Sequence, residues 1–121
     1  MAKILIVDDS MTTRKNLKDL FEQNGYEVVE ASNGVSGLKS FNDNEKIDAI
    51  ISDINMPEMD GLEFCREIKK HERGTNVPIL VVTAVATKKN NETARKIGVD
   101  GIIVKPFRNE LLLEALGKII K

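Results

Sequence analysis

Short, mostly apolar runs recur along the chain at residues 3–7, 26–30, 47–52, 78–83 and 101–104, and each is followed by a longer stretch with helical spacing. Apolar runs of this length predict strands buried on both faces. Ile79-Leu80-Val81-Val82 is the most apolar of them and is placed in the sheet interior. The first helix is predicted over residues 11–24, with Ser10 as its cap, Leu17, Leu20, Phe21 and Asn24 on one side, and Asn24-Gly25 as its stop. Asn33-Gly34 opens a second helix through Phe41, with Val35, Leu38 and Phe41 as its apolar side. A third helix covers 62–71, carrying Leu62, Cys65 and Ile68 at spacings of three. A fourth covers 87–97 and is closed by Gly98. The first half of that fourth helix, Thr87-Lys88-Lys89-Asn90-Asn91, is almost wholly polar, so burial holds it weakly and it reads as a switch segment. The last helix covers 107–121, with a stripe of Phe107, Leu111, Leu112, Ala115, Leu116, Ile119 and Ile120. Leu113 falls outside that stripe and is expected to be exposed.

Strand–helix alternation repeated five times predicts an α/β fold, a doubly wound parallel sheet with helices on both faces and right-handed crossovers. A length of 121 residues suits one domain, residues 1–121, with no linker, repeat or low-complexity stretch. Hydrophobic content of 41% and charged content of 31% exclude a disordered chain. No apolar run approaches the ~20 residues that cross a bilayer, so membrane insertion is not expected. Met1-Ala2-Lys3 leads straight into a strand without a leader's cleavage site, and Cys65 is the single cysteine, which together suggest the cytoplasm. The net charge of −1 gives no reason to expect direct nucleic-acid binding. The charge is unevenly placed: residues 1–86 carry 10 Lys+Arg against 15 Asp+Glu, and residues 87–121 carry 8 against 4. That gradient is either scattered surface charge or a C-terminal face for an acidic partner.

In an open parallel sheet, ligands sit beyond the carboxyl ends of the strands. Asp8 and Asp9 follow the first run, Asp53 the third and Lys105 the fifth, while Thr83 ends the fourth. Three carboxylates brought together call for a cation, and a hard ion such as Mg²⁺ takes carboxylates, a backbone carbonyl and waters. Asp53 stands alone on a central strand, and Pro57 and Gly61 hold the loop after it. It is therefore the best candidate to attack phosphorus as a nucleophile. The metal, Lys105 and Thr83 are then placed to stabilise the phosphoryl oxygens. Each residue alone has a plainer reading: Asp8-Asp9 as a turn, Thr83 as a capping hydroxyl, Lys105 as an edge charge. The set, in order on strands one, three, four and five, does not.

The segments Ile6-Val7-Asp8-Asp9-Ser10, Ser52 through Gly61, Val82-Thr83-Ala84 and Val104-Lys105-Pro106-Phe107 resemble the bacterial response-regulator receiver domain, in a stand-alone length. The resemblance spans essentially the whole chain and implies a five-stranded sheet in the order 2-1-3-4-5 with five helices. It implies that Asp53 accepts the phosphoryl group and that Asp9, Asp53 and the backbone carbonyl of Asn55 ligate Mg²⁺, with Asp8 acting through water. It further implies that Thr83 moves toward the phosphoryl group and Lys105 pairs with its oxygen. The Lys105-Pro106 bond is expected to be cis, and Ala84 leaves room for a donor. The donor would be a sensor histidine kinase or a phosphotransfer protein, and the altered surface would be the fourth helix, fifth strand and fifth helix, read by a downstream protein. Catalysis would be confined to the chain's own phosphorylation and slow dephosphorylation. Ile102 departs from the pattern, since receivers often carry Tyr or Phe there. Val85 cannot hold a hydrolytic water, so Asn55 is expected to govern the phosphoryl lifetime. The competing reading is an aspartate-nucleophile phosphatase of the haloacid-dehalogenase type, but Asn55 stands where that motif has its second Asp. A flavodoxin-like nucleotide binder would need a Gly-rich loop where Asp8-Asp9-Ser10 stands. Outside the site, His71 reads as a solvated surface residue, Cys65 as a buried apolar one, and Met56 and Met59 as loop packing.

Overall fold

Alternate residues of the central strands point to opposite sides of one sheet, and each set meets its own layer of helices. The computed structural model describes residues 1–56 and 58–120. Pro57, expected to hold the loop after the third strand, and Lys121, within the helix predicted over 107–121, lie outside the described residues. The strands are β1 (Lys3–Val7), β2 (Glu27–Ala31), β3 (Ala49–Ser52), β4 (Ile79–Thr83) and β5 (Gly101–Val104), and the helices are α1 (Met11–Gln23), α2 (Gly34–Asp43), α3 (Gly61–Lys70), α4 (Lys88–Ile97) and α5 (Asn109–Ile119). The sheet is parallel throughout, in the order β2-β1-β3-β4-β5. β4 lies inside the sheet, as its apolar run requires. Leu5, Val7, Ile50, Ile79 and Val81 pack on Phe41, Phe64, Cys65, Ile68 and Ala94 from α2, α3 and α4. Ile4, Ile6, Ile51, Leu80 and Val82 pack on Leu17, Phe21, Leu112 and Leu116 from α1 and α5.

Ser10 caps α1 as expected, and short polar side chains cap three further helices. Ser10, Asn33, Asp60 and Thr87 each accept a hydrogen bond from the backbone N–H three residues on. Gly98 closes α4 with φ +100°, a left-handed backbone that costs glycine nothing. β1 and β5 match the sequence expectation, and the other elements differ from it by one or two residues at one or both ends. β3 starts at Ala49, because Asp48 turns its carboxylate to the N–H of Lys3 at 2.8 Å. A 3₁₀ turn at Glu72–Gly74 follows α3 and had no periodic signal to announce it.

Two helix faces depart from expectation. Val35 is 51% exposed, because α2 lays Gly34, Gly37 and Phe41 on the core and so approaches Met59 and Phe64 closely. In α5, Leu111 is 52% exposed, whereas Leu113 is half-buried against the core. The stripe centres between Leu112 and Leu116, which puts Leu113 about 80° and Leu111 about 120° from its middle at ~100° per residue.

Candidate functional site

The sheet's own ladder positions the site. One backbone hydrogen bond continues past the end of each of three strands, β1, β3 and β5: Asp8 N–H to Ala31 at 3.2 Å, Asp53 N–H to Val7 at 3.0 Å and Lys105 N–H to Thr83 at 2.8 Å. Three charged residues are thereby fixed by neighbouring strands rather than by loops. Asp8 is 3% exposed, Asp53 half-buried and Asp9 exposed, and one carboxylate oxygen from each lies within 4.8 Å of the others. The Lys105 ammonium bridges two of them, 3.2 Å from Asp8 Oδ2 and 3.4 Å from Asp53 Oδ2. The Lys105–Pro106 bond is cis, as expected.

Burial pushes the Asp8 carboxyl above its ordinary value. The hydrogen bond from Ser10 N–H (2.9 Å) and the Lys105 charge pull it back, and repulsion from Asp53 adds to the rise. An acid cluster this close, with one ammonium against three carboxylates, favours a further cation. Its donors are hard oxygens in a partly open cleft, which fits Mg²⁺.

The loop after β3 is tightly tied. Asp53 Oδ1 accepts the N–H of Ile54 at 2.6 Å, Ser52 Oγ donates to the Asp53 carbonyl at 2.9 Å, and Gly61 N–H donates to the Ile54 carbonyl at 2.7 Å. Gly61 has to be glycine, because a Cβ there would run into the Asp53 carbonyl. Glu58 takes a left-handed φ of 68°. Asn55 is exposed two residues past Asp53, and Met56 and Met59 pack against the core as loop anchors.

Thr83 is fully buried at the end of β4, with its hydroxyl engaged in a local turn. Oγ1 accepts from Val85 N–H and donates to the Val85 carbonyl, both at 3.3 Å. Ala84 and Val85 are exposed, and Ile102 on β5 is half-buried against the core. All five charged or hydroxyl residues expected at the strand ends therefore lie at one edge of the sheet.

Two residues were read differently from sequence. His71 is not simply solvated. Its ring meets Phe41 edge-on at 5.1 Å, and Nδ1 accepts from Arg73 N–H at 3.1 Å, so it closes α3 and starts the 3₁₀ turn. Arg14, not singled out from sequence, donates from Nη1 to the Asp8 carbonyl at 2.6 Å. A cation near a helix N-terminus runs against the helix dipole, and that mismatch was the available signal. Cys65 is buried as expected, and burial pushes its thiol up to about 12.

A family model described as the response regulator receiver domain matches residues 4–117. The chain belongs to that family. Chemotaxis protein CheY1 of Helicobacter pylori is 39% identical over 115 residues, 94% of this chain and 93% of its own. The solved structure of chemotaxis protein CheY4 from Vibrio cholerae matches with a TM-score of 0.94 at 35% identity over 99% of each chain. The receiver domain of a sensor histidine kinase from Pseudomonas aeruginosa matches with a TM-score of 0.88 at 29% identity, over 97% of this chain and 95% of its own, and its cleft coordinates a magnesium ion. The chain is thus a receiver domain of the chemotaxis-regulator type in two-component signalling, and the phosphatase reading gives way to it. Receiver domains take their phosphate from histidine kinases. Among the described residues, no helix is long and apolar enough to cross a membrane.

Proposed function

We propose that this receiver domain accepts a phosphoryl group on Asp53 from a histidine kinase or phosphotransfer protein, and that Asp9, Asp53 and the Asn55 carbonyl hold Mg²⁺ while Asp8 acts through water. The observation that carries the reading is the Lys105 ammonium shared between Asp8 and Asp53 at a three-carboxylate cleft. An Asp53 carboxylate oxygen attacks the phosphorus of a phosphohistidine. The O–P bond forms as the N–P bond breaks, and the electron pair returns to the imidazole nitrogen, which takes up a proton. Bound Mg²⁺ would supply charge neutralisation on the phosphoryl oxygens. Lys105 releases Asp53 and pairs with a phosphoryl oxygen. Thr83 leaves its turn with Val85 and donates its hydroxyl to another. Asn55 orients the water that slowly removes the group. The cytoplasm is the proposed setting, supported by the single buried thiol.

A phosphoryl group adds about −1.5 to −2 charges, compensated locally, so the output is conformational. The docking surface is α4, β5 and α5, where Val104 and Leu111 stand exposed at 48% and 52%, with Val85 exposed at 52% just before α4. Ile102, in place of an aromatic ring, repacks behind it. Labelling with acetyl phosphate or a phosphorylated kinase tests the assignment. Wild type takes up one phosphoryl group per chain and Asp53→Asn takes up none. Stoichiometric labelling of the variant overturns it.

A further inference from the structure

The three carboxylates of the cleft are not equally anchored. Asp8 Oδ1 is held by Ser10 N–H at 2.9 Å, and Asp53 Oδ1 by Ile54 N–H at 2.6 Å. Among the described residues, no hydrogen bond or ion pair holds the exposed Asp9 carboxylate. Its direction depends on the peptide that joins it to Asp8. The carbonyl of that peptide is the one that accepts from Arg14 Nη1, at 2.6 Å.

The guanidinium is itself fixed. The Arg14 side chain is 14% exposed, and its Nε lies 3.4 Å from Glu30 Oε1 on β2. Lys18 approaches the other oxygen of Glu30 at 3.8 Å. Glu30 pairs with Ile6 in the sheet, two residues before Asp8, so the anchor is part of the same ladder that sets the site. One planar fork thus ties α1, β2 and the Asp8–Asp9 peptide together. A lysine can reach the carbonyl or the carboxylate but does not span both with fixed geometry.

We infer that Arg14, braced by Glu30, is a positioning residue that orients the Asp8–Asp9 peptide and so aims the Asp9 carboxylate at the divalent cation. The inference rests on the proposed cation site. It also makes a prediction of unusual sign. Arg14 carries a positive charge close to where the cation would bind, so removing it on electrostatic grounds alone should tighten Mg²⁺. If its work is positioning, removing it weakens Mg²⁺ instead.

Isothermal titration of the metal-free protein with Mg²⁺ tests this, on wild type, Arg14→Met, Arg14→Lys and Lys18→Met, with melting in EDTA to show that each variant folds. The expected result is a dissociation constant raised about tenfold in Arg14→Met, partly recovered in Arg14→Lys, and unchanged or slightly lowered in Lys18→Met. The inference is overturned if Arg14→Met binds Mg²⁺ as tightly as wild type or more tightly, or if Lys18→Met weakens it equally. If wild type itself takes up no Mg²⁺, both the cation site and the role of Arg14 fall. Should Arg14→Met melt before it can be titrated, the Mg²⁺-induced shift of the Ser10 amide resonance in Arg14→Lys decides. It is reduced if positioning is correct and of wild-type size if it is not.

Discussion

The two ends of the sheet use the same residue types in opposite ways. At the amino ends, Asp48 accepts the N–H of Lys3 and Asp100 accepts the N–H of Ile79, each at 2.8 Å. Lys69 there gives its ammonium to the Val77 carbonyl at 2.7 Å. Each of these three charges is matched to a backbone group. At the carboxyl ends, Asp8, Asp9 and Asp53 crowd within 4.8 Å and Lys105 serves two of them at once. Acids at one end complete the fold, while acids at the other are gathered against their own repulsion. The gathered set is the one with chemistry left to do.

Substitution should separate the ends sharply. The largest effect expected is at Asp53: Asn there reduces phosphoryl labelling by at least about 100-fold while leaving the melting temperature unchanged or raised, as labelling assays and calorimetry will show. Asp100→Ala should do the reverse. It leaves the Ile79 N–H of an interior strand without its charged acceptor and costs about 1–3 kcal/mol in urea unfolding, with labelling retained. If it abolished labelling in a folded protein, the division between the two ends would not stand.

Asp8→Asn probes the cost of crowding. In the folded protein the Asp8 carboxyl is raised from 3.8, first by burial, so the folded state holds its proton to a higher pH than the unfolded chain does. The ionisation cost is therefore absent below 3.8, grows as pH rises through the raised value, and is fully present above it. Metal-free Asp8→Asn should match wild type in acid and exceed it in stability at neutral pH. Saturating Mg²⁺ should reverse the order at neutral pH, by melting curves taken across that range. The smallest effect is expected at Asn55, where Ala should lengthen the phosphoryl lifetime about threefold, a change of under 1 kcal/mol in barrier. An unchanged dephosphorylation rate removes Asn55 from that role.

Residues whose environment follows from chain period were legible in the sequence. The strand ends bearing Asp8, Asp53, Thr83 and Lys105 follow from short apolar runs, and parallel order brings them to one edge. The cap at Ser10 and the helix start at Asn33 were equally plain. Contacts between elements were not. Val35 lost its place in the core because two glycines of α2 let the helix sit closer on another face. Leu111 and Leu113 exchanged roles because helix spacing leaves the centre of a broad stripe free to rotate. His71 met Phe41 across a distance in sequence that carries no local pattern, and Arg14 left only its mismatch with the helix dipole as a sign of its bond to the Asp8 carbonyl.

The unequal burial of neighbouring helices has a further consequence. α3 places Gly61, Leu62, Phe64, Cys65 and Ile68 in the core, whereas α4, of the same length, places only Ala94 there. Little free energy resists the opening of α4, so its amide protons should exchange with solvent by local unfolding long before those of α3. A segment this close to balance needs only a modest difference in affinity between two arrangements to change which one predominates. On the proposed docking switch, the polar first turn of α4 would set the sensitivity, through how often the helix visits another arrangement before any phosphate arrives.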